Sequence, residues 1–167
     1  LSQPLPHGNR VAMVSNGAGP MLAAMDRFEH AGLVTAELSQ ETVTKLETQF
    51  PPFYSCTNPV DLTGSATDED YALALRTFQA DPNVDIIMPW FVMQDSPLAL
   101  DEVLTEALRT VSATKPIIAG ALGADFTEIK CRDFEAKTRV PFANSIEAWV
   151  GAARTLVLHA HNRKRGN

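Results

Sequence analysis

The chain has 167 residues, of which 45% are hydrophobic and 20% are charged, and this is enough to build one globular domain with a buried core. Its net charge of −6 argues against nucleic acid as a partner, because proteins that bind the phosphate backbone carry basic faces. The two cysteines, Cys56 and Cys131, lie far apart and outside any CxxC pattern, so neither a disulfide framework nor a metal site is indicated. Nothing in the sequence resembles a signal peptide or a membrane span, and we expect a cytoplasmic protein.

Strands and helices are predicted to alternate along the chain. Apolar runs predict five strands, at residues 10–15, 34–38, 84–92, 116–122 and 140–143. Helical spacing and capping residues predict six helices, at residues 22–30, 39–50, 67–80, 98–113, 126–137 and 145–162. Pro89 cannot donate a backbone hydrogen bond, so we expect its strand to end or bulge there. The pattern predicts the α/β class: a flavodoxin-like doubly wound parallel sheet of about five strands, with helices on both faces.

The two ends of the chain differ from its middle. Residues 1–9 are rich in proline and glycine, which predicts a linker or entry segment, and residues 10–162 form the domain. Residues 163–167 are predicted to be a basic tail or the solvated end of the last helix.

An acidic cluster begins the third predicted helix. Asp68, Glu69 and Asp70 directly follow the candidate N-cap Thr67. Acidic residues in a first turn interact favourably with the helix dipole, so we interpret the cluster as helix-starting charges and predict no metal site.

A glycine-rich turn follows the first predicted strand, and it consists of Asn16, Gly17, Ala18, Gly19, Pro20 and Met21. A buried strand that stops at glycines and restarts as a helix leaves backbone N–H groups unpaired at the positive end of the helix dipole. The turn therefore predicts an anion site, most directly a phosphate site. The motif alone also fits a tight turn without a ligand. It lacks the lysine of a Walker sequence, and Leu22 stands where a GxGxxG fingerprint has its third glycine.

Two further segments are expected to meet this turn, because parallel strands end at one edge of the sheet and ligands bind there. They are residues 93–97 and residues 120–125. Residues 51–64 form a long connection of the kind that is often functional. Within it, Asp61 is expected to orient the loop through backbone hydrogen bonds.

Several segments together resemble one family: residues 8–20, Ala31-Gly32-Leu33, Glu37-Leu38-Ser39, Asn58-Pro59-Val60-Asp61-Leu62-Thr63-Gly64 and Asp81-Pro82-Asn83-Val84-Asp85. In order and separation they are similar to the nucleoside-diphosphate-forming acyl-CoA synthetases. These enzymes include ADP-forming acetate–CoA ligase and, more distantly, succinyl-CoA synthetase. The similarity runs over essentially the whole chain and implies the flavodoxin-like ligase domain of such an enzyme.

The resemblance implies a role for each motif. The family converts an acyl-CoA, a nucleoside diphosphate and phosphate into acid, CoA and a nucleoside triphosphate, through an acyl phosphate and a phosphorylated histidine. Two helix N-termini point at that phosphohistidine, and the turn from Asn16 to Met21 matches one of them. A substrate loop would lie near the acyl group, at Met93, Gln94, Asp95 and Ser96, although Val92-Met93 stands where succinyl-CoA synthetase has a Gly-Gly pair. Loop-ordering roles are expected for Asn58, Asp61, Gly64, Gly120 and Gly123.

The family's phosphorylated histidine has no counterpart here. It lies in a Ser-His-Thr-Gly type segment of a preceding domain, a context that none of the four histidines has: His7, His30, His159 and His161. We therefore expect no catalytic residue in this chain and no cofactor bound by it alone. The complete enzyme would use CoA, ADP or ATP, and Mg, through CoA-binding and ATP-grasp domains that act with this one on an acyl-CoA or a carboxylic acid.

Two other functions stay open. One is a degenerate synthetase-like regulatory domain of a protein acetyltransferase. The other is a binding module for flavin phosphate or another small anion, which the lack of a Ser/Thr-rich phosphate loop disfavours.

Overall fold

The structure, a computed structural model, describes residues 3–93, 98–123 and 127–165. In these residues one sheet contains β1 (Arg10–Ser15), β2 (Val34–Thr35), β3 (Val60–Asp61), β4 (Ile86–Met93), β5 (Ala119–Gly123) and β6 (Phe142–Ala143). The helices are α1 (Ala18–Ala31), α2 (Gln40–Gln49), α3 (Asp68–Ala80), α4 (Glu102–Ser112), α5 (Thr127–Thr138) and α6 (Ile146–Arg165). The two longest strands, β1 and β4, are buried over nearly their whole length, as parallel strands covered on both faces must be.

The strand order defines the fold class. All pairings between the named strands are parallel, in the order β2-β1-β4-β5-β6, with β3 paired to β1 as well. With the short β3 set aside, this is the 2-1-3-4-5 order of flavodoxin-like folds. The predicted α/β class and flavodoxin-like sheet are confirmed.

The sheet separates two hydrophobic cores. On one face, α1 and α6 cover a core that includes Phe28 and Trp149. On the other face, helices α2 to α5 cover a larger core that includes Leu46, Phe78 and Leu108. Helices therefore cover both faces of the sheet. The loops at the ends of the strands are left as the places where a ligand can bind.

A short strand, β3, lies inside the 51–64 connection, where the sequence predicted none. It pairs with the carboxyl end of β1, at Val14 and Ser15, beyond the point where β2 has ended. Two residues are too few to give an alternating or apolar pattern, so no periodicity could reveal this strand.

The side chain of Asn58 joins β1 to the segments beside it. Its Nδ2 donates to the carbonyls of Val11 and Ala36, each at 2.8 Å, and its Oδ1 accepts the N–H of Met13 at 2.9 Å. The bond from Asn58 to Pro59 is cis. The amide thus supplies hydrogen bonds in the gap where β1 has left β2 and has not yet met β3.

The prediction that β4 ends or bulges at Pro89 is wrong. Pro89 lies within β4, in register with Val14 of β1. On the β5 side, the pairing pattern around Ile87 requires a donor from position 89 to the carbonyl of Ile118, and proline has none. That carbonyl instead accepts the Nε1–H of Trp149 at 2.8 Å. A side chain replaces the missing donor, so β4 continues, and its uninterrupted pairing with β5 begins just beyond the proline, at Trp90 and Gly120.

Three helix boundaries differ from the prediction by three residues or more. Helix α1 begins at Ala18 rather than at residue 22, so the glycine-rich turn includes the first turn of this helix. Helix α4 begins at Glu102 rather than at residue 98, because Asp101 is its N-cap and Leu100 has a φ of 57° that a helix does not allow. Helix α6 reaches Arg165, so the basic residues before position 166 form its last turn.

Candidate functional site

The carboxyl ends of β1 and β4 form the switch point of the sheet. From β1 the chain crosses to β2 on one side, and later returns to β4 on the other side. Ligands of doubly wound folds bind in the crevice that this reversal opens. Asn16 and Gly17 follow β1 at this point, and the segment after Met93 follows β4.

Asn16 fixes the shape of the turn. Its Oδ1 accepts the N–H of Val92 at 2.8 Å and its Nδ2 donates to the carbonyl of Val92 at 2.9 Å. Its backbone N–H donates to the Tyr71 hydroxyl at 2.8 Å. The amide therefore extends the β1–β4 ladder past the last backbone pair, Ser15 and Trp90, and supports the turn from inside.

The N-terminus of α1 lacks a side-chain cap. Its N-cap residue is Gly17, no side chain bonds to the first-turn N–H groups, and the first turn contains no acidic residue. The N–H of Gly17 itself donates to the Ser15 Oγ at 3.1 Å. Since Pro20 has no N–H, the donors left for a ligand are those of Ala18 and Gly19. An uncapped helix start of this kind favours an anion.

The two glycines of the turn have different surroundings. A Cβ at Gly17 would lie 3.1 Å from Cγ2 of Val92, a tight contact that the Val92 side chain would have to relieve by moving a few tenths of an ångström. A Cβ at Gly19 would have no atom within 4 Å. The space in front of Gly19 is therefore open to a ligand or to another domain.

The other members of the predicted phosphate turn support it. Met21 is buried in the core beneath α1 and α6, so its side chain anchors the helix. Asn16 is committed to Val92 and Tyr71. The anion-binding role predicted for residues Asn16 to Met21 therefore depends on the backbone of Ala18 and Gly19, and it stays a prediction.

The predicted substrate loop is described only at its first residue. Met93 ends β4, is buried, and is in register with Gly123 of β5. A Cβ at Gly123 would lie 2.5 Å from the Met93 carbonyl oxygen, which explains the glycine. Gln94, Asp95 and Ser96 lie outside the described residues, and their role stays a prediction.

The remaining loop-ordering candidates lie in or beside strands. The Asp61 Oδ1 accepts the N–H of Thr63 at 2.9 Å, which is an Asx turn at the end of β3. Gly64 lies in the turn before α3. Gly120 lies within β5, where any Cβ would overlap the ring of Trp90. These contacts and positions show how the three residues fit into the fold, and their functional roles stay predictions.

Sequence reasoning missed two residues, Tyr71 and Asp68, in the first turns of α3. The Tyr71 hydroxyl accepts the N–H of Asn16 and lies 2.8 Å from two acceptors, the Asn16 Oδ1 and the Trp90 carbonyl. Complete burial raises the pKa of this hydroxyl far above its usual value, so it stays protonated. The spacing of Tyr71 marks it as a core residue, and nothing in the sequence shows where its hydroxyl lies.

Asp68 lies in the first turn of α3, as predicted, and its side chain is buried. Its Oδ2 accepts the N–H of Ala99 at 2.7 Å and its Oδ1 accepts the N–H of Asp101 at 3.1 Å. Burial raises the pKa of Asp68, against the lowering effect of these two bonds. The helix start is capped by other residues, since Thr67 and Asp70 form a complete capping box.

The four histidines lie away from the turn along the chain and are all exposed: His7, His30, His159 and His161. Across the described ranges, no group of three His, Cys, Asp or Glu residues is arranged to hold a metal ion. In the same part of the chain, no helix is long and apolar enough to span a bilayer.

The topology and the switch-point turn define the class of protein as a flavodoxin-like α/β domain. Comparison with known sequences gives its family. The chain belongs to the Ligase-CoA domain family, whose sequence pattern matches residues 11–162.

Curated relatives and solved structures agree with this assignment. The chain is 33% identical over 166 residues to the alpha subunit of ADP-forming acetate–CoA ligase II from Pyrococcus furiosus, covering 97% of this chain and 36% of the relative. It is 28% identical over 158 residues to an ADP-forming 4-hydroxybutyrate–CoA ligase from Nitrosopumilus maritimus, covering 92% of this chain and 21% of the relative. A crystal structure of a Pyrococcus horikoshii protein superimposes with a TM-score of 0.88 at 33% identity, covering 96% of this chain and 38% of the other. The chain thus spans between 21% and 38% of the length of these relatives.

Proposed function

We propose that this chain is the ligase domain of an ADP-forming acyl-CoA synthetase, and that the N-terminus of α1 stabilises a phosphohistidine supplied by another domain. The observation that carries the proposal is the uncapped start of α1 at the switch point, where Gly19 is exposed and a Cβ on it would meet no atom within 4 Å. Two relatives named as ADP-forming acid–CoA ligases, which match most of this chain, support the reaction class.

The proposed reaction has three group-transfer steps. Phosphate attacks the thioester carbonyl of the acyl-CoA, which forms an acyl phosphate and releases CoA. A histidine nitrogen then attacks the phosphorus, which releases the carboxylic acid and leaves a phosphohistidine. Finally, ADP attacks the phosphohistidine, which gives ATP and the free histidine.

This domain contributes electrostatics to that sequence of steps. A phosphoryl group on histidine carries about two negative charges. The phosphohistidine must also persist between its formation and the transfer to ADP without being hydrolysed. Backbone N–H groups at a helix N-terminus stabilise such a dianion without a side-chain base that could react with it. The histidine must come from elsewhere, since none of the four in this chain lies in or beside the turn.

Exposed apolar side chains at the carboxyl edge support the approach of another domain. Leu22, one turn into α1, is 57% exposed, and Leu122, near the end of β5, is 58% exposed. Side chains of this size gain free energy when a partner covers them. We propose that the CoA-binding and ATP-grasp domains of the same enzyme are the partners, that they bind CoA, the nucleotide and Mg²⁺, and that the enzyme acts in the cytoplasm on an acyl-CoA or a carboxylic acid.

The test uses the complete enzyme that contains this domain. It is incubated with acetyl-CoA, ³²P-labelled phosphate and MgADP, and both ATP and acid-labile, base-stable protein phosphate are measured. The proposal predicts labelled ATP and a labelled histidine outside this domain. A complete enzyme that forms neither product with acetyl-CoA or with longer acyl-CoA substrates would contradict the proposed function.

A further inference from the structure

We propose that the Tyr71 hydroxyl and the Asn16 side chain form a fork that separates β1 from β4 at the switch point, and that this fork sets the direction of the first N–H groups of α1. The inference rests on the proposed function, in which those N–H groups stabilise the phosphoryl group. Both side chains act through the backbone that they hold, so both are positioning residues.

The register of β1 and β4 identifies the backbone bond that the hydroxyl replaces. The N–H of Ile87 points to the β5 side, so the even-numbered residues of β4 face β1. Ser15 is in register with Trp90, and the next bond of a regular ladder would run from the N–H of Asn16 to the Trp90 carbonyl. That N–H donates at 2.8 Å to the Tyr71 hydroxyl, which in turn lies 2.8 Å from the Trp90 carbonyl oxygen. A hydroxyl from α3 therefore bridges the two strands where a regular ladder has a direct bond.

One residue further along, a side chain takes the place of the β1 backbone. The Asn16 Oδ1 accepts the N–H of Val92 at 2.8 Å, and the Asn16 Nδ2 donates to the Val92 carbonyl at 2.9 Å. These are the two bonds that the backbone of β1 would make if the strand continued. Because the amide makes them, the backbone is free to leave the sheet at Gly17 and to begin α1 at Ala18.

Burial makes the fork rigid. Asn16 and Tyr71 are both buried, and the Tyr71 ring packs on Phe91 with the ring centroids 4.7 Å apart. Burial also raises the pKa of the Tyr71 hydroxyl, so the bridging group stays protonated. Buried polar groups that lose a partner cannot turn to water, so each bond of this network restricts the others. The path of the chain into Ala18 and Gly19 is thereby restricted as well.

Tyr71→Phe keeps the ring and removes the bridging oxygen. The N–H of Asn16 and the carbonyl of Trp90 then either stay unpaired or draw the two strands together into a direct bond. Both outcomes move the start of α1 relative to β4. The N–H groups of Ala18 and Gly19 would then no longer point at the phosphoryl group as they do in the wild type.

The test titrates the ratio of MgATP to MgADP in the complete enzyme, with ³²P-labelled ATP and no acyl substrate, and measures the phosphohistidine. Weaker stabilisation of the phosphoryl group moves the midpoint of this titration, whereas partial unfolding lowers only the plateau. Tyr71→Phe is expected to move the midpoint about tenfold toward ATP, because hydrogen bonds to a charged group weaken when their donors turn away. Asn16→Ala is expected to move the midpoint in the same direction.

Tyr54→Phe is the matched control. Tyr54 is the other tyrosine of the chain, and it is also buried beside the start of α3, where its hydroxyl donates to the Asp70 Oδ2 at 3.0 Å. Its hydroxyl lies outside the fork, so its removal should leave the midpoint unchanged. An unchanged midpoint in Tyr71→Phe, or an equal shift in Tyr54→Phe, would overturn the positioning role. Should Tyr71→Phe not fold, the midpoint of Asn16→Ala decides in the same way. A wild-type enzyme that forms no phosphohistidine from MgATP would instead contradict the proposed function.

Discussion

Replacing Trp149 by phenylalanine removes the indole N–H that the Ile118 carbonyl accepts at 2.8 Å. The backbone cannot supply a substitute, because the facing position on β4 is Pro89. A buried carbonyl left without a donor costs about 1–3 kcal/mol, and the smaller ring adds a packing loss. Trp90 provides the control, since it is also buried, packs edge-to-face on Trp149, and has an Nε1 without a hydrogen-bond partner in the part of the chain that the structure describes. Trp90→Phe therefore reports the packing loss of a neighbouring tryptophan with no hydrogen bond broken, offset by the removal of an unpaired buried N–H.

A double-mutant cycle isolates the hydrogen bond. Pro89→Ala restores an N–H opposite Ile118, so it should be more favourable in the Trp149→Phe background than in the wild type by about 1 kcal/mol or more. The change in unfolded-chain entropy on replacing proline is common to both backgrounds and cancels. Urea unfolding followed by circular dichroism measures the four stabilities. A coupling energy near zero would refute the idea that Trp149 substitutes for the missing donor of Pro89.

Three further predictions concern stability. Asn58→Ala leaves the Ala36 carbonyl and the Met13 N–H without this partner, while the Val11 carbonyl keeps the N–H of Ala36, so urea unfolding should show a loss of about 2 kcal/mol or more; a loss below about 1 kcal/mol would contradict its bridging role. Burial raises the pKa of Asp85, but the bonds from the Arg10 side chain and backbone lower it more, so the folded pKa lies below the unfolded value. Stability should therefore fall as the pH drops below about 4, and this fall should be smaller in Asp85→Asn; equal acid profiles would be inconsistent with the ion pair. Gly120→Ala forces a Cβ into the ring of Trp90 and should cost about 1–3 kcal/mol in the same unfolding assay, and a neutral effect would show that the ring moves freely.

Much of the fold is predictable from sequence because long elements carry strong patterns. Apolar runs as long as those of β1 and β4, and the amphipathic spacing of the helices, identify the elements and, through their alternation, the flavodoxin-like sheet. Prediction from local sequence pattern fails where a contact between distant residues determines the structure. Pro89 breaks a strand unless a distant side chain replaces its donor, and no sequence pattern connects it with Trp149.

The candidate site shows the same limit. The glycine turn and its position after β1 are visible in the sequence, because an apolar run ends at two glycines and a helical pattern follows. The roles of Tyr71 beside the turn and of Asp68 before α4 are not visible in the sequence. By pattern, Tyr71 is a core aromatic residue and Asp68 is a helix-start charge. Only the packing of α3 shows that they bond to the Asn16 turn and to the segment before α4.

The central claim is that the N-terminus of α1 stabilises a phosphoryl dianion, and Gly19→Asp in the complete enzyme tests it most directly. Position 19 has open space, and an acidic residue in the first turn favours the helix, so the fold should be unharmed. A carboxylate about 6 Å from a phosphoryl dianion raises its energy by roughly 1–6 kcal/mol, a loss of tenfold or more in phosphohistidine. Gly19→Asn, which has the same size without the charge, should retain most of it. If Gly19→Asp forms as much phosphohistidine as Gly19→Asn, the proposed role of this helix is wrong.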